Sequence, residues 1–381
     1  MKELPSTRFE CKKCGHVDYR MSLAELGKES SEKCPKCGAP LVAAGRETPD
    51  WISKILNEVN KFSEIEDFIA KENWIEIEVC SLPGKNTFLK FQRRMKQKGY
   101  LSGLRKVNST VKIYLMKIPE FQKRLAPSII LLIVTIISTF SVGYLWTKTI
   151  HGGLFFSFAV MSLLGAHELG HLLAARENKI QTSPPYFIPF PSILGTMGAI
   201  VEMREPPPSR DAMVEIGSNG PIMGFFMSLV FLTAGLMLSS PASENSAPYL
   251  APLIFDAIRR LLGLPVNLNL HPFAFAGLVM LVITFLNLMP LGQLDGGHIA
   301  RAVLGLERHF YLTRFLSLAL FFSGLFYPEL PFWLWGLMAF LLFSRGHPGA
   351  LDDIHPLSRR AKLKAAACLA IFILCFPIPR G

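Results

Sequence analysis

The sequence predicts a mainly α, polytopic membrane protein of six or seven transmembrane helices behind a small soluble N-terminal third. Three observations carry this. Half of the 381 residues are of the apolar types AVILMFWYC, 18% are charged and 29 are Phe, which is too apolar for an ordinary soluble protein. Charge is unevenly placed: residues 1–125 hold 24 Lys and Arg and 16 Asp and Glu, whereas the remaining 256 residues hold 16 and 13. The second region also contains repeated apolar runs near the roughly 20 residues a helix needs to cross a bilayer. Disorder, collagen-like repetition and a secreted disulfide scaffold are excluded.

The opening residues, Met1-Lys2-Glu3-Leu4-Pro5, lack the apolar core of a removable signal peptide, so the soluble part is expected to stay in the cytosol. Four of the seven cysteines form Cys11-x2-Cys14 and Cys34-x2-Cys37, separated by 19 residues, with Gly15 and Gly38 following the pairs. In a reducing compartment this spacing favours metal over disulfides, because four thiolates so placed can surround one Zn2+ tetrahedrally. Residues 1–47 resemble a zinc ribbon. The expected zinc is structural, since so short a segment buries too little to fold unaided.

Residues 48–125 read as a small basic α/β module. A helix is expected over Asp50–Lys61, an alternating strand over Trp74–Val79, a basic helix over Phe88–Lys98, and strands near Leu101–Val107 and Thr110–Met116. From Lys85 to Arg124 there are twelve basic residues and one acid, Glu120, a net +11 that equals the formal charge of the whole chain. Nucleic acid is disfavoured as the partner because aromatics are not interleaved with the cations as stacking platforms. Anionic lipid headgroups suit a basic segment that runs straight into the first apolar span; a solvated basic face is the remaining alternative.

Apolar runs follow at about Ser128–Trp146, Gly152–Ala175, Gly217–Ser239, Pro272–Leu288, His309–Phe326 and Pro331–Phe343, with a short seventh at Lys364–Pro377. With a cytosolic N-terminus, fourteen cations fall on the inner flanks (among them Lys123, Arg124, Arg176, Arg210, Arg345 and Arg359) against four outside (Lys148, Arg259, Arg260 and Arg380). This asymmetry supports that orientation and a multi-pass place in the cytoplasmic membrane.

The second span carries His167-Glu168-Leu169-Gly170-His171. Two imidazoles four residues apart share one helical face and can bind one metal ion, with a carboxylate beside them. Such groups are costly inside a bilayer and mark function by default; a buried pair satisfied by neighbouring helices is the bland alternative. A hydrolytic zinc site needs a third protein ligand and an open position. The fourth span ends Asn287-Leu288-Met289-Pro290-Leu291-Gly292-Gln293-Leu294-Asp295-Gly296-Gly297-His298, where Pro290 interrupts the helix and the glycines allow unusual backbone geometry. Asp295 is the candidate, although an Asp-Gly turn at the membrane surface accounts for it equally from local sequence. The cation count places the C-terminal ends of spans two and four on the same side, so the His pair and Asp295 can meet.

With both motifs stated, the sequence resembles the site-2 protease family of intramembrane zinc metalloproteases. Asn287-x-x-Pro290-x-x-x-Leu294-Asp295-Gly296 lies 116 residues after His171, and the two motifs match that family in order and spacing over roughly Ser128–Phe343. The resemblance implies a catalytic zinc held by His167, His171 and Asp295, Glu168 as general base, Asn287 as a polar helper near the developing oxyanion, and residues 126–381 as the protease domain. It also implies that Gly195-Thr196-Met197-Gly198, in a segment with seven prolines from Pro184 to Pro208, lies in a re-entrant or extended stretch near the active site and pairs an unwound substrate; a plain proline-rich loop has similar standing. Transmembrane segments of other proteins are the implied substrates. A membrane scaffold or pseudoprotease, and a zinc transporter, are the rivals. Gly220 and Gly224 read as helix packing, and His298 stands outside the pattern.

Overall fold

The computed structural model describes residues 6–22, 25–46, 48–71, 74–118, 125–242, 249–326, 332–343 and 346–380. The N-terminal pentapeptide, Glu120, Lys123, Arg124, Pro331 and Arg345 lie outside the described residues. The chain divides into two compact units, Met1–Glu120 with Leu351–His355, and Phe121–Ala350 with Pro356–Gly381.

The first unit is built from β1 (Thr7–Glu10), β2 (Val17–Arg20), β3 (Glu29–Lys33), β4 (Pro40–Gly45), α1 (Asp50–Asn60), β5 (Ile65–Lys71), β6 (Trp74–Val79), α2 (Lys85–Gln97), β7 (Tyr100–Val107) and β8 (Thr110–Lys117). The two segments read as separate modules share one eight-stranded sheet in the order β3-β4-β1-β2-β5-β6-β8-β7. Its seam is antiparallel, with Tyr19 opposite Ala70 and Arg20 opposite Ile69. Apolar residues at helical spacing, Ile52, Ile55, Leu56 and Val59 of α1 and Phe88, Phe91 and Met95 of α2, pack on Phe68, Ile75, Ile77, Leu104 and Ile113 of the sheet. Strand β5 is not among the expected elements. Its pairing with β6 shifts register between Ile65 and Asp67, and this bulge breaks the period-two pattern by which a strand is read.

Part of the basic surface is neutralised by acids outside the 85–124 window. Lys61, Arg94 and Lys98 surround Glu58 at 2.9, 3.3 and 3.7 Å, and Lys112 lies 2.7 Å from Glu76 and 3.6 Å from Glu78. Leu351–His355 joins this unit as a short addition beside β7. The Leu104 N–H and the Arg105 guanidinium both donate to the Leu351 carbonyl, at 2.7 and 2.6 Å. His355 sits between the Asp352 carboxylate at 2.7 Å and the Pro83 carbonyl at 2.9 Å, and Ile354 packs on the module core.

The second unit contains α3 (Ala126–Thr147), α4 (Ile150–Glu177), β9 (Tyr186–Pro189), β10 (Thr196–Ile200), α5 (Arg210–Met237), β11 (Ser240–Pro241), β12 (Tyr249–Pro252), α6 (Leu253–Leu261), β13 (Leu268–Asn269), α7 (Pro272–Asn287), α8 (Asp295–Leu304), α9 (Leu306–Phe326), α10 (Phe332–Phe343), α11 (Arg359–Leu374) and β14 (Pro377–Arg380). Among the described residues four helices, α3, α4, α5 and α9, are long and apolar enough to cross a membrane. Helix α7 has 16 residues, α10 has 12 and α11 has 16; at 1.5 Å per residue a 16-residue helix is about 24 Å long, short of the roughly 30 Å hydrocarbon thickness. Helix α5 packs against both α4 and α7, and a Cβ on its Gly235 would strike the Ala274 backbone of α7. The segment between α4 and α5, for which an extended stretch and a proline-rich loop are the two sequence readings, contains a β9–β10 hairpin. Strand β14 pairs with β12, Tyr249 opposite Arg380 and Pro252 opposite Pro377.

Candidate metal centre and active-site cavity

His167 and His171 lie one turn apart in the second half of α4, and Asp295 begins α8 just beyond the Pro290 interruption. Helix α7 ends at Asn287, and the chain turns through Gly292 at φ +49° before α8. Gly296 and Gly297 have negative φ; their role is closeness, because a Cβ on either would run into the backbone carbonyls of Leu288 or Gly292. That close turn brings the Asp295 carboxylate to the His pair.

The three side chains converge. The His167 and His171 Nε2 atoms are 3.1 Å apart, Asp295 Oδ2 is 3.3 Å from His167 Nε2, and Asp295 Oδ1 is 3.4 Å from His171 Nε2. A tetrahedral zinc with bonds of 2.0–2.1 Å places its ligand atoms about 3.3 Å from one another, so the donor set fits that ion. The tautomer of His171 fits as well. A backbone carbonyl only accepts, so the 2.9 Å contact from His171 Nδ1 to the Ile216 carbonyl puts the proton on Nδ1 and leaves the Nε2 lone pair for a metal.

Helix α5 makes room for this cradle. A Cβ on Gly220 would run into the His171 imidazole, one on Gly224 would sit 3.1 Å from His167 Nδ1, and one on Gly217 would sit 2.6 Å from the Asp295 carbonyl oxygen. The Gly-x-x-x-Gly pair, read from sequence as packing, packs against the ligand rings themselves.

A cavity of about 470 Å³ opens on the cluster, lined by His167, Glu168, His171, Asn287, Gln293, Asp295 and His298, with apolar walls from Leu164, Met280 and Ile283. Glu168 is buried and makes no hydrogen bond among the described residues. Of the four residues Gly195-Thr196-Met197-Gly198, only Met197 and Gly198 line the cavity. Gly195 takes the hairpin turn at φ +77°, and the Thr196 hydroxyl donates to the Ile188 carbonyl at 2.8 Å. The β9–β10 register shifts between Thr196 and Ala199, so Met197 and Gly198 are not paired with β9. His298 and Gln293 are not predicted as cavity residues, because neither belongs to a motif of known spacing.

In the first unit Cys11, Cys14, Cys34 and Cys37 bring their sulfurs within 4.8 Å of one another. Two equivalent knuckles hold them: the Gly15 N–H donates to the Cys11 carbonyl and the Gly38 N–H to the Cys34 carbonyl, both at 2.8 Å, with positive φ at both glycines.

Comparison with known proteins agrees with this geometry. The model of peptidase family M50 matches residues 155–327. The chain is 30% identical over 234 residues to the probable zinc metalloprotease EGY1, chloroplastic, of Arabidopsis thaliana, covering 57% of this chain and 41% of that protein. It is 28% identical over 242 residues to the probable zinc metalloprotease EGY2, chloroplastic, of Oryza sativa subsp. indica, covering 60% and 43%. The chain thus spans about two fifths of the length of these curated relatives. No solved structure matches significantly. His167, His171 and Asp295 all fall within the matched segment, which is similar to peptidase family M50, the site-2 protease family that the motifs resemble.

Proposed function

We propose that this chain is an intramembrane zinc endopeptidase that hydrolyses peptide bonds in transmembrane segments of other membrane proteins. The observation that carries the reading is the meeting of His167, His171 and Asp295 around one cavity beside Glu168. The first three would hold the ion. Zinc bound there supplies Lewis acidity that makes water reactive near neutral pH and polarises a carbonyl. Glu168 takes the proton of the attacking water and returns it to the departing amine. Asn287, at the end of α7 on the cavity wall, donates its amide N–H to the carbonyl oxygen as negative charge grows there. A helical substrate must unwind to be cut, which frees backbone groups that are costly in a dry interior. The Met197 backbone, which β9 does not pair, offers them partners by strand addition, beside a Gly198 whose N–H and carbonyl are held by the Thr196 hydroxyl.

The fold also supports seven spans. Residues 6–118 and Leu351–His355 belong to one compact unit, so the chain between them crosses the bilayer an even number of times. Helices α3, α4, α5 and α9 make four crossings; α7 must cross to return Asp295 to the depth of His171, and α10 supplies the sixth. Strand β14 pairs with β12, which follows α5 on the outer side, so α11 crosses as the seventh. We assign the inner side to the cytosol of a cytoplasmic membrane on the cation asymmetry; both relatives named above are chloroplastic, and a chloroplast membrane is the other outcome of a localisation experiment. The first unit then contacts anionic headgroups through its exposed cations and positions substrates.

Glu168→Gln tests the chemistry. Zinc content should stay at the wild-type level while turnover falls about 10²–10⁴-fold, the usual worth of a general base, and trapped membrane fragments should co-purify for sequencing. Undiminished cleavage by this variant would refute the assignment. Zinc movement into vesicles without proteolysis would favour a transporter.

A further inference from the structure

Behind the cavity a second histidine, His347, is hydrogen-bonded to His298, 49 positions earlier in the chain. The Gly349 N–H donates to His347 Nδ1 at 2.9 Å. A backbone N–H only donates, so Nδ1 is the acceptor nitrogen and the proton of neutral His347 sits on Nε2. Burial above all pushes His347 down to about 3, which keeps the ring neutral. His347 Nε2–H then donates to His298 Nδ1 at 2.8 Å. With Nδ1 accepting, neutral His298 carries its own proton on Nε2. That nitrogen has no hydrogen-bond partner among the described residues, and the ring lines the cavity that holds His167, Glu168, His171 and Asp295. The start of the relay is fixed by backbone: Gly349 has φ +81°, and a Cβ there would strike the Arg301 guanidinium.

We propose that His298 is a further catalytic residue of this cavity, an Nε2–H donor to the substrate oxygen that becomes negative, and that His347 is the positioning residue that fixes its tautomer. The inference rests on the proteolytic reading of the site. A neutral imidazole N–H aimed at a developing oxyanion is the kind of preorganised donor that lowers an acyl-transfer barrier, and each such donor is worth about 10²–10³ in rate. His298 therefore acts beside Asn287, from α8 instead of α7.

Nitrogen-15 histidine NMR of the zinc-free full chain reads the relay directly, with the His298 signal identified by its loss in His298→Ala. The expected result is a pure Nε2–H tautomer at His298, a mixture in His347→Ala, and recovery in His347→Gln, whose amide can accept from Gly349 and donate to His298. The zinc-loaded protein is then titrated with an apolar peptide phosphonamidate, whose tetrahedral anion imitates the reacting centre. Affinity should fall about 100-fold in His298→Ala with zinc content unchanged, and adding His347→Ala should weaken it no further. An Nδ1–H or mixed tautomer in the wild type, or unchanged phosphonamidate affinity in His298→Ala, would overturn the proposal. Failure of the wild type to bind zinc or the phosphonamidate would overturn the protease reading and this role with it, while the tautomer spectra still report separately on the relay.

Discussion

Gly220 bears directly on the metal cradle, because the nearest atoms to a Cβ there belong to the His171 ring. Gly220→Ala must push that imidazole off its Nδ1 bond to the Ile216 carbonyl. Orienting partners of this kind typically account for 10–100-fold in metal affinity, so chelator competition should show zinc held at least about tenfold more weakly; wild-type affinity would contradict the cradle. Gly224→Ala, at 3.1 Å from His167 Nδ1, should do less. The residues of the cradle differ in how readable they are. His167, His171 and Asp295 stand out because ionisable groups in an apolar run are too costly to keep at ligand spacing unless they bind something. The glycines do not, since small residues four apart look alike whether the neighbour is a helix or an imidazole. His298 escapes for a further reason: its partner His347 lies in a distant loop with no periodic pattern to tie the two together.

At the scale of elements, patterned segments are readable and irregular ones are not. Helix α1 and strands β6, β7 and β8 lie within a residue of expectation; α1, β6 and β8 carry an unbroken apolar period, and β7 is the hairpin partner of β8. Strand β5 is hidden by its bulge; the stretch expected at Gly195–Gly198 overlaps β10, but its partner β9 has no alternating pattern among the prolines to announce it. The paired knuckles are visible from four cysteines and two glycines, yet their strands are continuous with the module's sheet through β2 and β5. Consequently Cys34→Ser should reach beyond the ribbon. The full chain is expected to lose about one zinc equivalent and to show faster amide exchange at Ile69 and Ala70, across the seam; loss of zinc without any change there would mean that the two halves of the sheet fold independently.

At the scale of the whole molecule, the proposed seven crossings are argued from which segments share a unit, whereas hydropathy identifies four long helices among the described residues. In that proposal α7, α10 and α11 fall short of the length criterion; α7 ends in a turn that lines the cavity, where a helix need not cover the full bilayer. Cysteines introduced one at a time check the count, with Cys80, Cys368 and Cys375 replaced by Ser and each labelled position read by peptide mapping, which separates it from the ribbon thiols. Lys54→Cys and Arg359→Cys should react with an impermeant thiol reagent from one face of sealed vesicles, and Arg260→Cys from the opposite face; labelling of all three from one face would break the seven-span arrangement.

The pentapeptide Leu351–His355 has a practical corollary. Although it is encoded near the C-terminus, it rests on the N-terminal sheet through one parallel bridge, Asp352 opposite Leu104, and is held by Leu104, Arg105 and Pro83. A truncation made at the apparent boundary near residue 125 is therefore not a clean amputation, since it strips these five residues of their hosts and bares Ile354 to water. If an engineered protease site severs the backbone between residues 118 and 125, the two fragments should co-elute on gel filtration until denaturant frees the guest, and immediate release of the smaller piece would show that it holds nothing.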